Sequence, residues 1–523
     1  MPLPAQTMTT PAIHRRSGAN NLLFRLAASS ESHFRDWRTR AGRYHTRQSD
    51  GVLVDSFLSG LLTPLPKGIL LAGGVLPGSG SLMIVTDLPG CPSLKEYRQI
   101  VGAERFLAVE ELAERLSGIK MQEINSTRHG GGVAEILISY VPFLNALGLE
   151  TTWSVMEAEP AFFDVTKTLH NFLQGRDGFS PSMVETYWEA QRRNEGLIED
   201  DCDVVTVHDP QPLGLVEFLT SRELEQKRLL WRCHVQLETV PTGTVGSIGN
   251  IMRRLVEKYH ASIFSSFQYL PLWSVPSFII PPFIDPLSEK NRDLPAAEID
   301  ATLEKYGIDP EKPIVTQVSR YDVFKDPVGV IQAFRRVRQK TPCQLVLVGG
   351  RACDDPECFL VLREVRETAE DNPDIHILDL PPDSHREINA LQRASDVIVQ
   401  KSIKEGFGLT VTEGLWKGKP VVGGNVGGIP LQIRDGWNGY LVSTVQETAD
   451  RILHLLRHPE LALEMGKRGR EFVREYYLLP RGVQDHLAVV DQVKNGRITA
   501  RDSVICYHPQ VVTSRMAAGA ARY

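Results

Sequence analysis

Cysteine is scarce and never paired in sequence. The seven cysteines stand at 91, 202, 233, 343, 353, 358 and 506, and none forms a CxxC pair. Cys353 and Cys358 are separated by Asp-Asp-Pro-Glu, which is not a zinc-ligand spacing, and no histidine pair completes it. Reduced thiols of a cytoplasmic protein are the simplest reading. Long apolar runs are also missing. The longest candidate, Gly68 to Leu76, is broken by glycine and far short of the ~18 residues of a membrane span. A basic excess is missing as well: the net charge is −6, which argues against a nucleic-acid partner. No internal repeat is visible. Acids are absent until Glu31 and the first residues are rich in Arg, Ser and Thr, a transit-peptide flavour. Glu31 and Asp36 spoil it, and no apolar h-region marks a secretory signal. Residues 1–92 are therefore expected to be an extension, partly disordered.

What is present is an ordinary globular composition, 42% hydrophobic and 23% charged, on a chain long enough for several cores. Short apolar strands alternate with helical patterns, the signature of α/β units with parallel sheets. Strands are expected at 119–124, 150–156, 204–207, 229–232, 261–264 and 278–280. Helices are expected at 106–116, 133–147, 163–174 and 182–199. A proline-rich, charged stretch then reads as an interdomain linker, and a second α/β series begins at Ile314. The expected organisation is a Rossmann-like domain over 93–285, a linker over 286–312, and a second Rossmann-like domain over 313–470. A closing helical region covers 471–494 and a tail 495–523.

The densest stretch is Lys401 to Gln432. Glu405 and Glu413 bracket a turn, Gly406-Phe407-Gly408, with Leu409 opening a helix that runs to Trp416. A second glycine loop, 423–428, follows a short strand. Loop, helix, strand and loop in so few residues is the layout of an α/β ligand site at strand C-termini. Upstream, Gly130-Gly131-Gly132 lies between a strand and a helix, where free N–H groups face an anion; a plain βα turn reads the same way. Arg320 and Lys325 follow the first strand of the second domain and could neutralise a diphosphate, or be solvated. His208, Asp209 and Gln211 follow one strand, and His234 another. His234 is either structural or a donor to a sugar hydroxyl. Asp201-Cys202-Asp203 precedes its strand, so it reads as a solvated turn, not a metal site.

Glu405 and Glu413 at this spacing, with Arg320 and Lys325, resemble the retaining glycosyltransferases of the B-type, two-Rossmann fold, the large family that includes sucrose-phosphate and glycogen synthases. NSTRHGGGVAEIL (125–137), FFDVTKTLHNFLQG (162–175), VHDPQP (207–212), LWRCHV (230–235), PPFIDPLSEKN (281–291) and KEGFGLTVTEGLWKGKPVVG (404–423) together are similar to the trehalose glycosyltransferring synthases and the retaining trehalose phosphorylases. The likeness spans about 94–490. It implies that Glu413 grips the nucleotide ribose, Glu405 the donor sugar, Arg320 and Lys325 the phosphates, and His234 the donor glucose. Gly130 to Gly132 would wrap the donor phosphate and the acceptor; Gly406, Phe407, Gly408 and Leu409 would line the donor side, and His208, Asp209 and Gln211 the acceptor side. It further implies reversible transfer of glucose, with retention, from a nucleotide-glucose to glucose, giving α,α-trehalose without a metal or cofactor. The partners would be those small molecules, with no nucleic acid or membrane, and a homodimer is left open. Two other readings stand beside this one: a phosphorylase using inorganic phosphate, and a non-catalytic sugar- or nucleotide-binding protein.

Overall fold

The first sheet begins where Lys120–Asn125 (β1) carries an unbroken buried run from Met121 to Asn125. Such strands, apolar on both faces, belong inside parallel sheets covered by helices. The computed structural model describes residues 84–129, 131–173, 180–235, 237, 248–267, 270, 274–350, 357–497 and 504–506. Both sheets lie in one compact unit, Val75–Tyr523; the other unit, Met1–Gly74, falls outside the described residues.

The N-terminal sheet contains β1, β2 (Glu150–Val155), β3 (Val204–His208), β4 (Arg228–Cys233), β5 (Ala261–Phe264) and β6 (Ser277–Ile279). The second contains β7 (Ile314–Val318), β8 (Gln344–Gly349), β9 (Ile375–Asp379), β10 (Val397–Gln400), β11 (Val421–Gly424) and β12 (Gly439–Val442). A last strand, β13 (Val504–Cys506), returns to the first sheet. The orders are β13-β6-β5-β4-β3-β1-β2 and β12-β11-β10-β7-β8-β9, and the strand pairings are parallel. Each order reverses direction once, between β1 and β3 and between β7 and β10. Ligands of doubly wound sheets bind at such reversals, beyond the carboxyl ends of the strands. The expected two-Rossmann architecture is the observed one.

Four segments differ from the sequence reading. The helix expected over 182–199 stops at Arg193, because Asn194 turns its amide onto Ala190 O at 2.8 Å and Glu157 O at 2.7 Å. The stretch 286–312 is no bare linker. It holds a helix, Ala296–Lys305, and seats Leu303 and Ile308 in a core with Ile314, Val318 and Val346. The tail expected from 495 contains β13, whose backbone pairs with β6 through Val504, Ile505 and Cys506. β12 was hidden by its brevity and its leading glycine.

The closing region resolves into Pro459–Tyr476 and Leu479–Lys494. The second of these carries the chain back to the N-terminal sheet, where Val483, Leu487 and Val490 join Tyr97, Phe106 and Leu137 in one core. That same core includes Val411, Leu415 and Phe472 from the C-terminal half, so apolar packing links the two sheets. Among the described residues no helix is long and apolar enough to cross a membrane.

The helix Pro459–Tyr476 is seated by a backbone-to-backbone approach. A Cβ on Gly466 would lie 1.8 Å from the Gly418 carbonyl oxygen, and that atom cannot swing aside. Gly466→Ala is expected to lower the unfolding free energy by roughly 1–3 kcal/mol, the usual cost of overpacking. The check is the urea midpoint at constant m; an unchanged midpoint would mean that the helix has room there.

Candidate active site

At the second reversal, the loop after β7 is shaped by two aspartates. Asp322 caps the turn Val323–Lys325, accepting from Phe324 N at 2.8 Å. Asp326, in the left-handed region at φ 49°, caps the helix Pro327–Arg338 and accepts from Gly329 N at 3.0 Å. Lys401 pairs with the same Asp326 carboxylate. These caps turn Lys325 toward the loop after β10. Its Nζ lies 2.7 Å from both carboxylate oxygens of Glu405. Ser402 Oγ donates to Glu405 at 2.9 Å and Gln400 Nε2 at 3.3 Å. Burial alone would raise the Glu405 pKa, but the Lys325 charge and these donors outweigh it and hold the carboxyl below its usual range. Arg320 is half exposed, with Nη2 3.5 Å from Asp322.

The glycine turn serves geometry. Gly408, at φ 83°, precedes the helix Leu409–Trp416 in a conformation that disfavours side chains. Gly428 lets the second glycine loop close on the first: its N–H donates to Gly406 O at 2.8 Å, and a Cβ there would meet Phe407 Cα at 2.8 Å. The Phe407 ring is buried beside Tyr477, and its carbonyl accepts from Gln432 Nε2 at 2.5 Å. The start of the Leu409 helix points its positive end into the reversal.

The N-terminal half supplies the opposite wall. Gly130 lies outside the described residues. Gly131 precedes the helix Gly132–Ala146, and a Cβ on Gly132 would stand 3.7 Å from Leu409 Cδ1. Likewise a Cβ on Gly406 would lie 3.3 Å from the His234 carbonyl oxygen. The structure thus brings His234 beside the turn that follows Glu405. Asp209, at φ 65°, accepts the His234 backbone N–H at 2.7 Å. Burial pushes its carboxyl up to about 7, against the pull of that N–H and of Arg232.

His208 is not placed as expected for the acceptor side. It is 1% exposed, and both ring nitrogens are engaged, Nε2 with Glu123 at 2.7 Å and Nδ1 with His234 at 3.1 Å. As the last residue of β3 it points into the sheet's packed face, whereas Asp209 leaves the strand. Gln211 binds Gln191 through its backbone carbonyl at 2.7 Å, and its own Oε1 is buried without a hydrogen bond. Asp201 pairs with Lys120 at 2.6 Å, Asp203 accepts the Lys120 N–H at 3.0 Å, and Cys202 is buried. That trio anchors the start of β1.

Glu413 is fully buried. Lys290 Nζ lies 2.8 Å from it and 2.7 Å from Glu135, so one ammonium joins the helix Gly132–Ala146 to the helix Leu409–Trp416. Gln392 Nε2 approaches Glu413 at 3.3 Å, and Lys417 Nζ donates to Asn291 Oδ1 at 3.0 Å. Burial would raise the Glu413 pKa, but Lys290 and Lys417 hold it below its usual range; burial pushes Lys417 down to about 7. Lys290 escaped the sequence reading because it sits in a charged, proline-rich run. Glu123 escaped it because KMQEIN resembles the polar face of a half-exposed strand.

Two family models match: trehalose synthase, N-terminal domain, over residues 123–271, and glycosyl transferases group 1 over 298–472. A trehalose synthase of Pyrococcus horikoshii is 43% identical over 411 residues, covering 77% of this chain and 97% of that protein. The chain belongs to the trehalose synthase family. It is a glycosyltransferase. More distant likeness extends to a trehalose phosphorylase of Pleurotus pulmonarius, 27% identical over 70% of this chain and 55% of that protein. Among solved structures, a sucrose-phosphate synthase from Thermosynechococcus elongatus superposes with a TM-score of 0.58 at 18% identity, covering 72% of this chain and 100% of that one. A UDP-forming trehalose-phosphate synthase from Burkholderia xenovorans gives 0.57 at 14% identity, covering 73% and 99%. These two share the fold of this trehalose synthase family member.

The Glu135–Lys290–Glu413 link should weigh heavily in stability. Removing one partner of a buried pair costs about 3–5 kcal/mol, mostly for the charge left behind. Lys290→Met is therefore expected to destabilise strongly, while adding Glu413→Gln to it recovers part of the loss in the double-mutant cycle built from these two substitutions. Because the folded pKa of Glu413 is lowered from 4.5, its contribution is present above that pH and lost as pH falls through the folded value. Additive losses in the cycle would mean that the two groups do not interact.

Proposed function

We propose that this protein transfers glucose, with retention, between a nucleoside-diphosphate glucose and free glucose, forming α,α-trehalose reversibly. The observation that carries the reading is the Lys325–Glu405 pair at the β7/β10 reversal, with Arg320 beside it and His234 across from it. A diphosphate brings about two negative charges, which need a fork such as Arg320 and a point charge such as Lys325. Lys325 is held by Glu405 at 2.7 Å. On this reading the incoming phosphate takes Lys325 and leaves the Glu405 oxygens to accept from sugar hydroxyls. His234 contacts the donor glucose, and Asp209 faces the acceptor. The leaving phosphate oxygen takes the proton of the acceptor hydroxyl as the new bond forms on the same face of the sugar, so no protein nucleophile intervenes. Charge stabilisation comes from Arg320, Lys325 and the start of the Leu409 helix, with no metal or cofactor required. Lys290 holds Glu413 at 2.8 Å, so a ribose gripped by Glu413 competes with that contact. The cytoplasm, where nucleotide sugars are kept, fits this chemistry.

A phosphorylase would use the same cations, and the likeness to Pleurotus pulmonarius trehalose phosphorylase keeps that reading open. Glu413 leans against it, because free phosphate has no ribose to hold.

Purified protein incubated with trehalose and ADP, UDP or phosphate separates the readings. Nucleotide-glucose formed only with a nucleotide, unaffected by EDTA, is the expected result. Glucose 1-phosphate from phosphate alone would replace the synthase with the phosphorylase, and no turnover with any of them would leave a binding protein. Arg320→Ala is expected to lower kcat by about 10²-fold, the scale of removing one charge-stabilising donor; near-normal turnover would mean that the phosphate sits elsewhere.

A further inference from the structure

Behind His234 lies a buried line of titratable groups that glucose transfer as described does not use. Glu123 on β1 meets His208 on β3, with Oε2 to Nε2 at 2.7 Å. His208 Nδ1 meets His234 Nε2 at 3.1 Å, with the two rings only 14° from coplanar. Glu123 and His208 are 0% and 1% exposed. His234 is only partly buried, and its Nδ1 makes no hydrogen bond among the described residues. The line therefore runs from the sheet interior to the partly buried His234, beside the turn that follows Glu405, and ends on one nitrogen.

We propose that Glu123, His208 and His234 form a proton relay in which the inner carboxyl sets whether His234 presents a lone pair or an N–H to the substrate cleft. Each link holds one proton. With Glu123 ionised, His208 carries its proton on Nε2 and donates to the carboxylate. Its Nδ1 then accepts from His234 Nε2–H, and His234 Nδ1 is bare. With Glu123 protonated, the carboxyl donates to His208 Nε2, His208 Nδ1–H donates to His234 Nε2, and His234 carries its proton on Nδ1. The two states differ by one proton. A proton taken up at His234 Nδ1 passes its charge inward, and the Nε2 protons of both rings move one link toward Glu123, which becomes neutral. Neither ring ends as an imidazolium.

The surroundings favour that division of charge. Burial, with Arg232 on β4 adding to it, holds both imidazoles well below their usual pKa. Of the three linked groups the carboxyl is the one poised to titrate: burial pushes Glu123 up to about 7, against His486, Arg232 and a Thr206 hydrogen bond. Asp209, which accepts the His234 backbone N–H at 2.7 Å, is raised to about 7 as well and is the charged neighbour that faces His234. The groups facing Glu123 are thus His208 and Thr206 on β3, Arg232 on β4, Tyr140 on the helix Gly132–Ala146, and His486 on the helix Leu479–Lys494, whose Nε2 is 3.8 Å away. Asp485 lies near Arg232. His486 is held down to about 4 by burial, so it stays neutral while Glu123 titrates. Glu123 and His208 are accordingly positioning residues, acting on sugar hydroxyls only through His234.

The role of the relay in turnover rests on the trehalose-forming reading; its existence does not. The full-length protein labelled with ¹⁵N-histidine reports each ring's protonated nitrogen by two-bond ¹H–¹⁵N correlation, with His234 assigned by its loss in His234→Asn. Between pH 5.5 and 8.5 the His234 proton is expected to move from Nδ1 to Nε2 without an imidazolium stage. In Glu123→Gln one tautomer should persist throughout, and the matching inflection in kcat should vanish while KM changes little. A single His234 tautomer across the range in the unaltered protein, or an imidazolium with both nitrogens protonated, would overturn the relay whether or not Glu123→Gln folds. A normal tautomer switch without any trehalose-linked turnover would instead overturn the functional reading and leave the relay standing.

Discussion

One ammonium and one carboxylate, Lys325 and Glu405, hold each other at 2.7 Å in a cleft where both are largely withdrawn from water. Removing two charges from water costs several kcal/mol each, and their attraction repays this only when geometry is good and the remaining lone pairs are satisfied. Both conditions hold. Ser402 and Gln400 complete the carboxylate, and two capping aspartates fix the loop that carries the lysine. The pair therefore keeps a strong positive group positioned in the absence of substrate.

The same economy of buried charge recurs on either side. Between the two sheets, Lys290 joins Glu135 and Glu413, one carboxylate from each half of the molecule. In the N-terminal sheet, Glu123 and Arg232 share a dry interior with three histidines, only one of which reaches the cleft. The glycines at 406 and 428 allow these charged layers to approach, because a Cβ on either would press against backbone. Packing and electrostatics thus meet in one seam, where the Leu409 helix, the Gly132 helix and the His234 loop converge.

Much of this seam was legible from sequence because strand ends are punctuated. Arg320, Lys325 and Glu405 each follow a short apolar strand, so their position at the sheet's carboxyl edge follows from topology. One residue decides orientation there: Asp209 leaves β3 at φ 65° and accepts the His234 N–H, while His208, its neighbour, stays in the packed face with both ring nitrogens engaged. Lys290 was unreadable because its partners, Glu135 and Glu413, are remote in sequence and its own surroundings look like a solvated linker. Glu123 was hidden by the alternation of KMQEIN, which suggests one wet face on a strand that the helices cover on both sides. β13 consists of three residues, too few to carry a period. In each miss the deciding contact is long-range, and local pattern carries no trace of it.

Competition between Glu405 and phosphate for Lys325 is tested most directly by calorimetric titration of ADP and UDP into the unaltered protein and Glu405→Gln. Glu405→Gln keeps the shape of the side chain and removes its charge. It is expected to bind the nucleoside diphosphate about tenfold more tightly, the equivalent of about 1.4 kcal/mol, while losing turnover through its grip on the sugar. Unchanged or weaker binding in Glu405→Gln would contradict the account, because Lys325 would then not be the group that receives the phosphates.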